Sequence, residues 1–85
     1  MANLKIMLFA GAKAAAGTDH LDIELQLPTS IGNVKTAISS QCPALEHVIK
    51  FSRLAVGCEF VDDQHVIDLD SLQQDFALIP PVSGG

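Results

Sequence analysis

The chain has no tryptophan and no tyrosine, and only four phenylalanines. Any core it builds is therefore aliphatic, made of Leu, Ile, Val and Ala. Basic residues are also scarce: five Lys and Arg stand against ten Asp and Glu, a formal charge of −5. This balance argues against a nucleic-acid partner, because such binding needs Lys and Arg to neutralise phosphates. It suits a protein partner with a basic face. Cys42 and Cys58 are the only cysteines. They form no C-x-x-C pair and have no companions at zinc-ligand spacing, so each reads as a small packed side chain. With no signal-peptide pattern, two cysteines fit a reducing compartment, and a cytoplasmic location is expected. No apolar run approaches the ~18 residues needed to span a membrane. His20, His47 and His65 fall on different elements and do not resemble a metal site. Asp62, Asp63, Asp68 and Asp70 lack the central glycine and closing glutamate of a calcium loop. No nucleophile–base pair is legible, so neither activity of its own nor a bound cofactor is expected.

What is present describes one small domain. At 85 residues and 48% hydrophobic content the chain can bury a modest core and fold alone. Leu4 to Ala10 is nearly continuous in apolar residues, which predicts a strand covered on both faces and central in its sheet. The glycine-bounded stretch from Gly11 to Gly17 is expected to be a loop. Leu21, Ile23, Leu25 and Leu27 alternate with polar residues, the period of a half-buried strand that pairs with the first as a hairpin. Pro28-Thr29-Ser30 ends it and offers a helix cap. Ile31, Val34, Ile38 and Cys42, with Ala37, make one helical face that Pro43 terminates. Leu45, Val48 and Ile49 suggest a further short helical turn.

Leu54-Ala55-Val56 and Phe60-Val61 read as two strands joined at Gly57-Cys58-Glu59, where glycine supplies positive φ. Val66-Ile67 is at most a brief edge strand. Residues 68–75 form a polar connection anchored by Leu69 and Leu72. Phe76 to Ile79 is the last strand, and its apolar content places it beside the first, in parallel, through the helix-containing crossover. The result is an α+β layer architecture: a mixed sheet of four to five strands with one main crossover helix.

The run Pro80-Pro81-Val82-Ser83-Gly84-Gly85 then follows the last strand without a spacer. Its two glycines carry no Cβ and permit close approach to another protein's backbone. The prolines stiffen the approach to them. Extended, six residues reach about 20 Å, enough to enter another protein's active site. A domain over 1–79 with a flexible tail over 80–85 is expected.

Element order and ending together resemble the β-grasp, or ubiquitin-like, fold. Within it the chain resembles the small-subunit family of molybdopterin synthase, the sulfur carriers of molybdenum-cofactor biosynthesis. Leu8-Phe9-Ala10 with Lys13 and Gly17, Ile31 to Ile38, Leu54-Ala55-Val56 with Glu59, and Ala77 to Gly85 carry the likeness. The last segment is the specific one. Departures are Lys13-Ala14 where the family usually has Arg-Glu, Gly57-Cys58 where it has Asn-Gly, and Gln73-Gln74-Asp75 where it often has Gly-Asp-Glu.

The resemblance implies a non-catalytic, sulfur-donating subunit. Gly85 would be adenylated by an ATP-using enzyme related to ubiquitin-activating enzymes, converted to a thiocarboxylate, and would give its sulfur to a cyclic pterin precursor. Pro80, Pro81, Val82, Ser83 and Gly84 would thread into the large catalytic subunit, in a heterotetramer of two small and two large chains. Docking would use the sheet face near the tail, with Phe9, Phe60, Phe76 and Ile79 as candidates. A sulfur carrier of another pathway, such as thiamin thiazole formation, and a ubiquitin-like protein modifier are the alternative readings.

Overall fold

The computed structural model describes residues 2–80. Strand β1 (Ala2–Leu8) is followed by helix α1 (Ala10–Ala16), β2 (His20–Leu25), β3 (Thr29–Ser30) and α2 (Ile31–Gln41). A 3₁₀ turn (Pro43–Leu45) leads into the short α3 (Glu46–Ile49). Then come β4 (Arg53–Val56), β5 (Glu59–Val61), β6 (Val66–Ile67), a second 3₁₀ turn (Leu69–Gln73) and β7 (Phe76–Ile79). The main sheet has the order β2-β1-β7-β4-β5, and β3 pairs with β6 in a separate two-stranded ribbon. β1 and β7 run parallel, with Ile6 opposite Phe76 and Leu8 opposite Leu78. This is the expected β-grasp arrangement, a mixed sheet of five strands crossed by one main helix.

The helices cover one face of the sheet only. Leu4, Ile6, Leu8, Ile23, Leu54, Phe76 and Leu78 point inward and meet Ile31, Val34 and Ile38 of α2, with Leu45 and Ile49 closing the layer. Burying each large aliphatic side chain stabilises the fold by about 1.5–3 kcal/mol. The first strand is thus flanked on both sides, but β7 holds the centre of the sheet. β1 is not covered on both faces either: Asn3 and Lys5 are exposed while Leu4, Ile6 and Leu8 are buried. The polar Asn3 and Lys5 already broke the apolar run at period two, the mark of a strand with one wet face.

Residues 10–16 form a helix rather than a loop. Alanine has the highest intrinsic helix propensity, and Gly17 closes the helix at φ 74, its N–H bonding Lys13 O. Ala12 is fully buried and anchors α1 to the core. The expected cap of α2 is present: Ser30 Oγ accepts the Asn33 N–H at 3.2 Å. The first free N–H groups of α2 are satisfied from outside the helix, Ile31 by His65 O and Gly32 by Asp63 O, both at 2.9 Å. Lys35 Nζ reinforces this junction, 2.7 Å from Asp63 Oδ1 and 3.1 Å from the Ser52 carbonyl that accepts from it.

Leu69 and Leu72 do not anchor the connection before β7; they are 69% and 37% exposed. Ile67, fully buried at the end of β6, does that. The 3₁₀ turn is held locally instead, by an Asp68–Ser71 capping box. Among the described residues no helix is long and apolar enough to cross a membrane.

Candidate functional site

Among the described residues no helix or strand covers the sheet face opposite the helices, and strand register shows what it presents. Residues directly opposite one another across a ladder share a face. Met7 pairs with His20 on one side and with Ala77 on the other. Ala77 pairs with Ala55, and Ala55 with Phe60. One row therefore crosses all five strands: His20, Met7, Ala77, Ala55, Phe60. The neighbouring row sets Arg53 opposite Ile79. Phe9, in extended backbone at φ −132 and ψ 157, continues the alternation of β1 onto the same face. One step beyond the Leu8–Leu78 pair, it comes beside Ile79.

The end of β7, from which the chain continues to Pro80, is thus bracketed by Phe9 on one side and by Arg53 and Phe60 on the other. Phe9 is 47% exposed and Phe60 57% exposed. Ile79 and Pro80 are half-buried. Ala77 and Ala55 keep the middle of the face shallow. The Arg53 guanidinium lies over the Phe60 ring, 5.3 Å from its centroid, inside the range of a cation–π contact.

The β2 border of this face is polar. Lys5 stands opposite Asp22 and Asn3 opposite Glu24. His20 Nδ1 lies 2.8 Å from Asp19 Oδ1. That hydrogen bond holds the Asp19 carboxyl below the usual carboxylate range. The free edge of β2 is partly closed by α2, since Gln41 Nε2 donates to the Asp22 carbonyl at 2.9 Å. The face is therefore apolar around the end of β7 and charged along β2.

Three of the four expected docking residues meet on this face: Phe9, Phe60 and Ile79. Phe76 does not. It is 3% exposed and packs in the core, because the period-two alternation of β7 turns Phe76 and Leu78 inward and Ala77 and Ile79 outward. Pro80 follows β7, and the other residues expected to thread into a partner, Pro81, Val82, Ser83 and Gly84, together with Gly85, expected to carry the sulfur, lie outside the described residues. Arg53, Met7, Ala55 and Ala77 were missed by sequence reasoning. The alternation in Leu4 to Leu8 and in Phe76 to Ile79 pointed to Met7 and Ala77; nothing local pointed to Arg53.

The cysteines lie away from the end of β7. Cys42 is half-buried behind α2, and Cys58 is exposed at the tip of the β4–β5 hairpin. Gly57 N–H bonds Asp75 O, so that tip sits where β7 begins. Four residues of strand, about 13 Å, separate it from Ile79.

The sequence is 35% identical over 82 residues to the molybdopterin synthase sulfur carrier subunit of Dictyostelium discoideum, covering 95% of this chain and 94% of that one. It is 28% identical to the protein of the same description from Caenorhabditis briggsae, over the whole of both chains. No family model matches the chain. The fold superposes on small archaeal modifier protein 1 of Haloferax volcanii with a TM-score of 0.81 at 20% identity, covering 96% of this chain and 100% of that one. It also superposes on a chain of the complex of subunits 1 and 2 of the molybdopterin-converting factor from Helicobacter pylori, with a TM-score of 0.65 at 15% identity, over 99% and 100% of the two chains.

Proposed function

The chain belongs to the family of molybdopterin synthase sulfur carrier subunits, and from that premise we propose that Gly85 carries sulfur as a thiocarboxylate which the open sheet face delivers to a catalytic partner. The observation that supports this reading most is the placement of the end of β7. The central strand of the five-stranded sheet ends at Ile79 on this apolar face, so a partner docked there lies beside the point where the chain continues toward Gly85.

The chemistry follows from what a carboxylate lacks. It is a poor electrophile, and an oxygen of the Gly85 carboxylate would attack the α-phosphorus of ATP on an activating enzyme, expelling pyrophosphate. Hydrosulfide then adds to the acyl carbon and AMP departs, leaving the thiocarboxylate. The large synthase subunit would enclose the tail, raising effective molarity at the reacting centre and excluding water that would hydrolyse activated acyl groups. Sulfur then passes to a cyclic pterin precursor in two rounds. In this scheme the chain supplies the carrier and its docking face, and no acid, base or metal. ATP is bound by the activating enzyme, and two small chains join a dimer of large ones.

The test is mass spectrometry of the fragment Asp75 to Gly85 after incubation with the activating enzyme, ATP and a sulfur donor. The fragment contains neither Met nor Cys, so a mass gain cannot arise from oxidation of those side chains. Exchange of one oxygen for sulfur is the expected result. An unchanged fragment, beside a control carrier that is modified, would overturn the reading; isopeptide conjugates in cells would then indicate a protein modifier.

A further inference from the structure

Arg53 is the one feature of the docking face that its apolar character does not explain. The chain is acidic overall, and its other described cations near the sheet have local opposites. Lys35 is held by Asp63, and Lys5 faces Asp22 across the strands. Among the described residues Arg53 makes no ion pair. Acidic groups are close by, since Asp62 and Asp63 line the same open cleft of about 740 Å³ as Arg53 and Phe60. Neither lies within ion-pair distance of Arg53: Asp62 Oδ1 accepts the Gln64 N–H at 3.0 Å, and Asp63 pairs with Lys35.

The guanidinium is nonetheless positioned. Its Cζ sits over the Phe60 ring, 5.3 Å from the centroid, while its N–H groups make no ion pair among the described residues. A stacked guanidinium with no ion pair suits a bidentate carboxylate and has lost part of its freedom in advance. Its place is also specific, since Arg53 stands opposite Ile79, the last residue of β7.

We propose that Arg53, stacked on Phe60, is the specificity-determining cation of the docking face and receives a carboxylate of the large catalytic subunit next to the root of the tail. The inference rests on the sulfur-carrier reading above and names the contact that registers the partner. Apolar area around Met7, Ala77 and Phe60 provides adhesion without direction, and a charge-assisted pair at one fixed point selects orientation. A carboxylate bound there fixes the partner within one residue of Ile79, which sets where the tail enters its site.

Titration calorimetry of the full chain against the purified large subunit, at about 50 and about 300 mM salt, tests this. Arg53→Ala is expected to raise Kd about tenfold and Arg53→Glu about a hundredfold, with a flatter salt dependence for Arg53→Ala. Arg53→Lys keeps the charge but loses the fork and the stacking, and should recover only part of the affinity. Phe60→Leu, combined with Arg53→Lys, should cost less than the sum of the two single changes. Unchanged thermal melts of these exposed-site variants exclude misfolding as the cause. Arg53 variants binding within about twofold of the unmodified chain would overturn the inference alone. So would normal binding with impaired thiocarboxylate formation, which would move the contact to the activating enzyme. An unmodified chain that does not bind the large subunit at all would overturn the sulfur-carrier reading along with it.

Discussion

At the tip of the β4–β5 hairpin Gly57 and Cys58 both adopt positive φ, 59 and 69, the signature of a type I′ turn. Glycine accepts this without strain; cysteine does not, and the left-handed region costs a residue with a Cβ about 1–2 kcal/mol. Cys58→Gly is therefore expected to stabilise the domain by about 1 kcal/mol, raising Tm by about 4–8 °C for a chain of this size. Differential scanning calorimetry checks it, and a lower Tm would show that the Cys58 side chain makes a compensating contact. The same variant should leave sulfur transfer intact, because the hairpin tip and the end of β7 are at opposite ends of the strand. Ala10 at φ 49 marks the other strained residue, where the chain turns from β1 into α1 just past Phe9. Phe76 shows how little an amino-acid type says by itself: it shares its chemistry with Phe60, yet one is core and the other surface.

Among the elements β7 bears the most. It pairs with β1 in parallel and β4 antiparallel, fills the core with Phe76 and Leu78, and presents Ala77 and Ile79 to the open face. The two sides of the strand should respond differently to mutation. Phe76→Ala is expected to cost about 3–5 kcal/mol of stability, a large share of what a small domain has. Phe60→Ala on the neighbouring open face should cost under about 1 kcal/mol while weakening partner binding. Urea denaturation paired with binding measurements separates the two, and similar stability losses for both would contradict the one-sided core. The connection before β7 offers a smaller effect. Asp68→Ala removes acceptors of the Asp70 and Ser71 N–H groups and should cost about 1 kcal/mol.

For the whole molecule, the proposed scheme makes the fold a mount and puts the chemistry at the end of the chain. Appending one residue after Gly85 is expected to abolish sulfur transfer in a reconstituted synthase assay while leaving the melting curve unchanged, because the reacting carboxylate is displaced from its place in the partner. Gly84→Val should impair transfer in the same way, through bulk in a narrow passage. Normal transfer by the extended chain would remove Gly85 as the carrier. The docking face and the tail act as one unit in this scheme: the apolar patch around Met7, Ala77 and Phe60 and the cation at Arg53 hold the partner where the tail can reach its site.

Much of this was readable from local pattern. The alternation of Leu21 to Leu27, the helical spacing of Ile31, Val34 and Ile38, the Ser30 cap and the stop at Pro43 all depend on neighbours within a turn or two, and local sterics and hydrogen bonding settle such features. The Gly-Gly ending and the family likeness were legible for the same reason, as residue types in a fixed order. The tertiary structure decided what depends on distant partners. It placed β7 rather than β1 at the centre, because strand order follows which edges meet after the crossover. It turned residues 10–16 into a helix by burying Ala12, and sent Phe76 inward by the register of β7 against β1 and β4. Only the assembled sheet brought Arg53 opposite Ile79, since the lateral pairing of β4 with β7, strands far apart in sequence, leaves no trace in either strand alone.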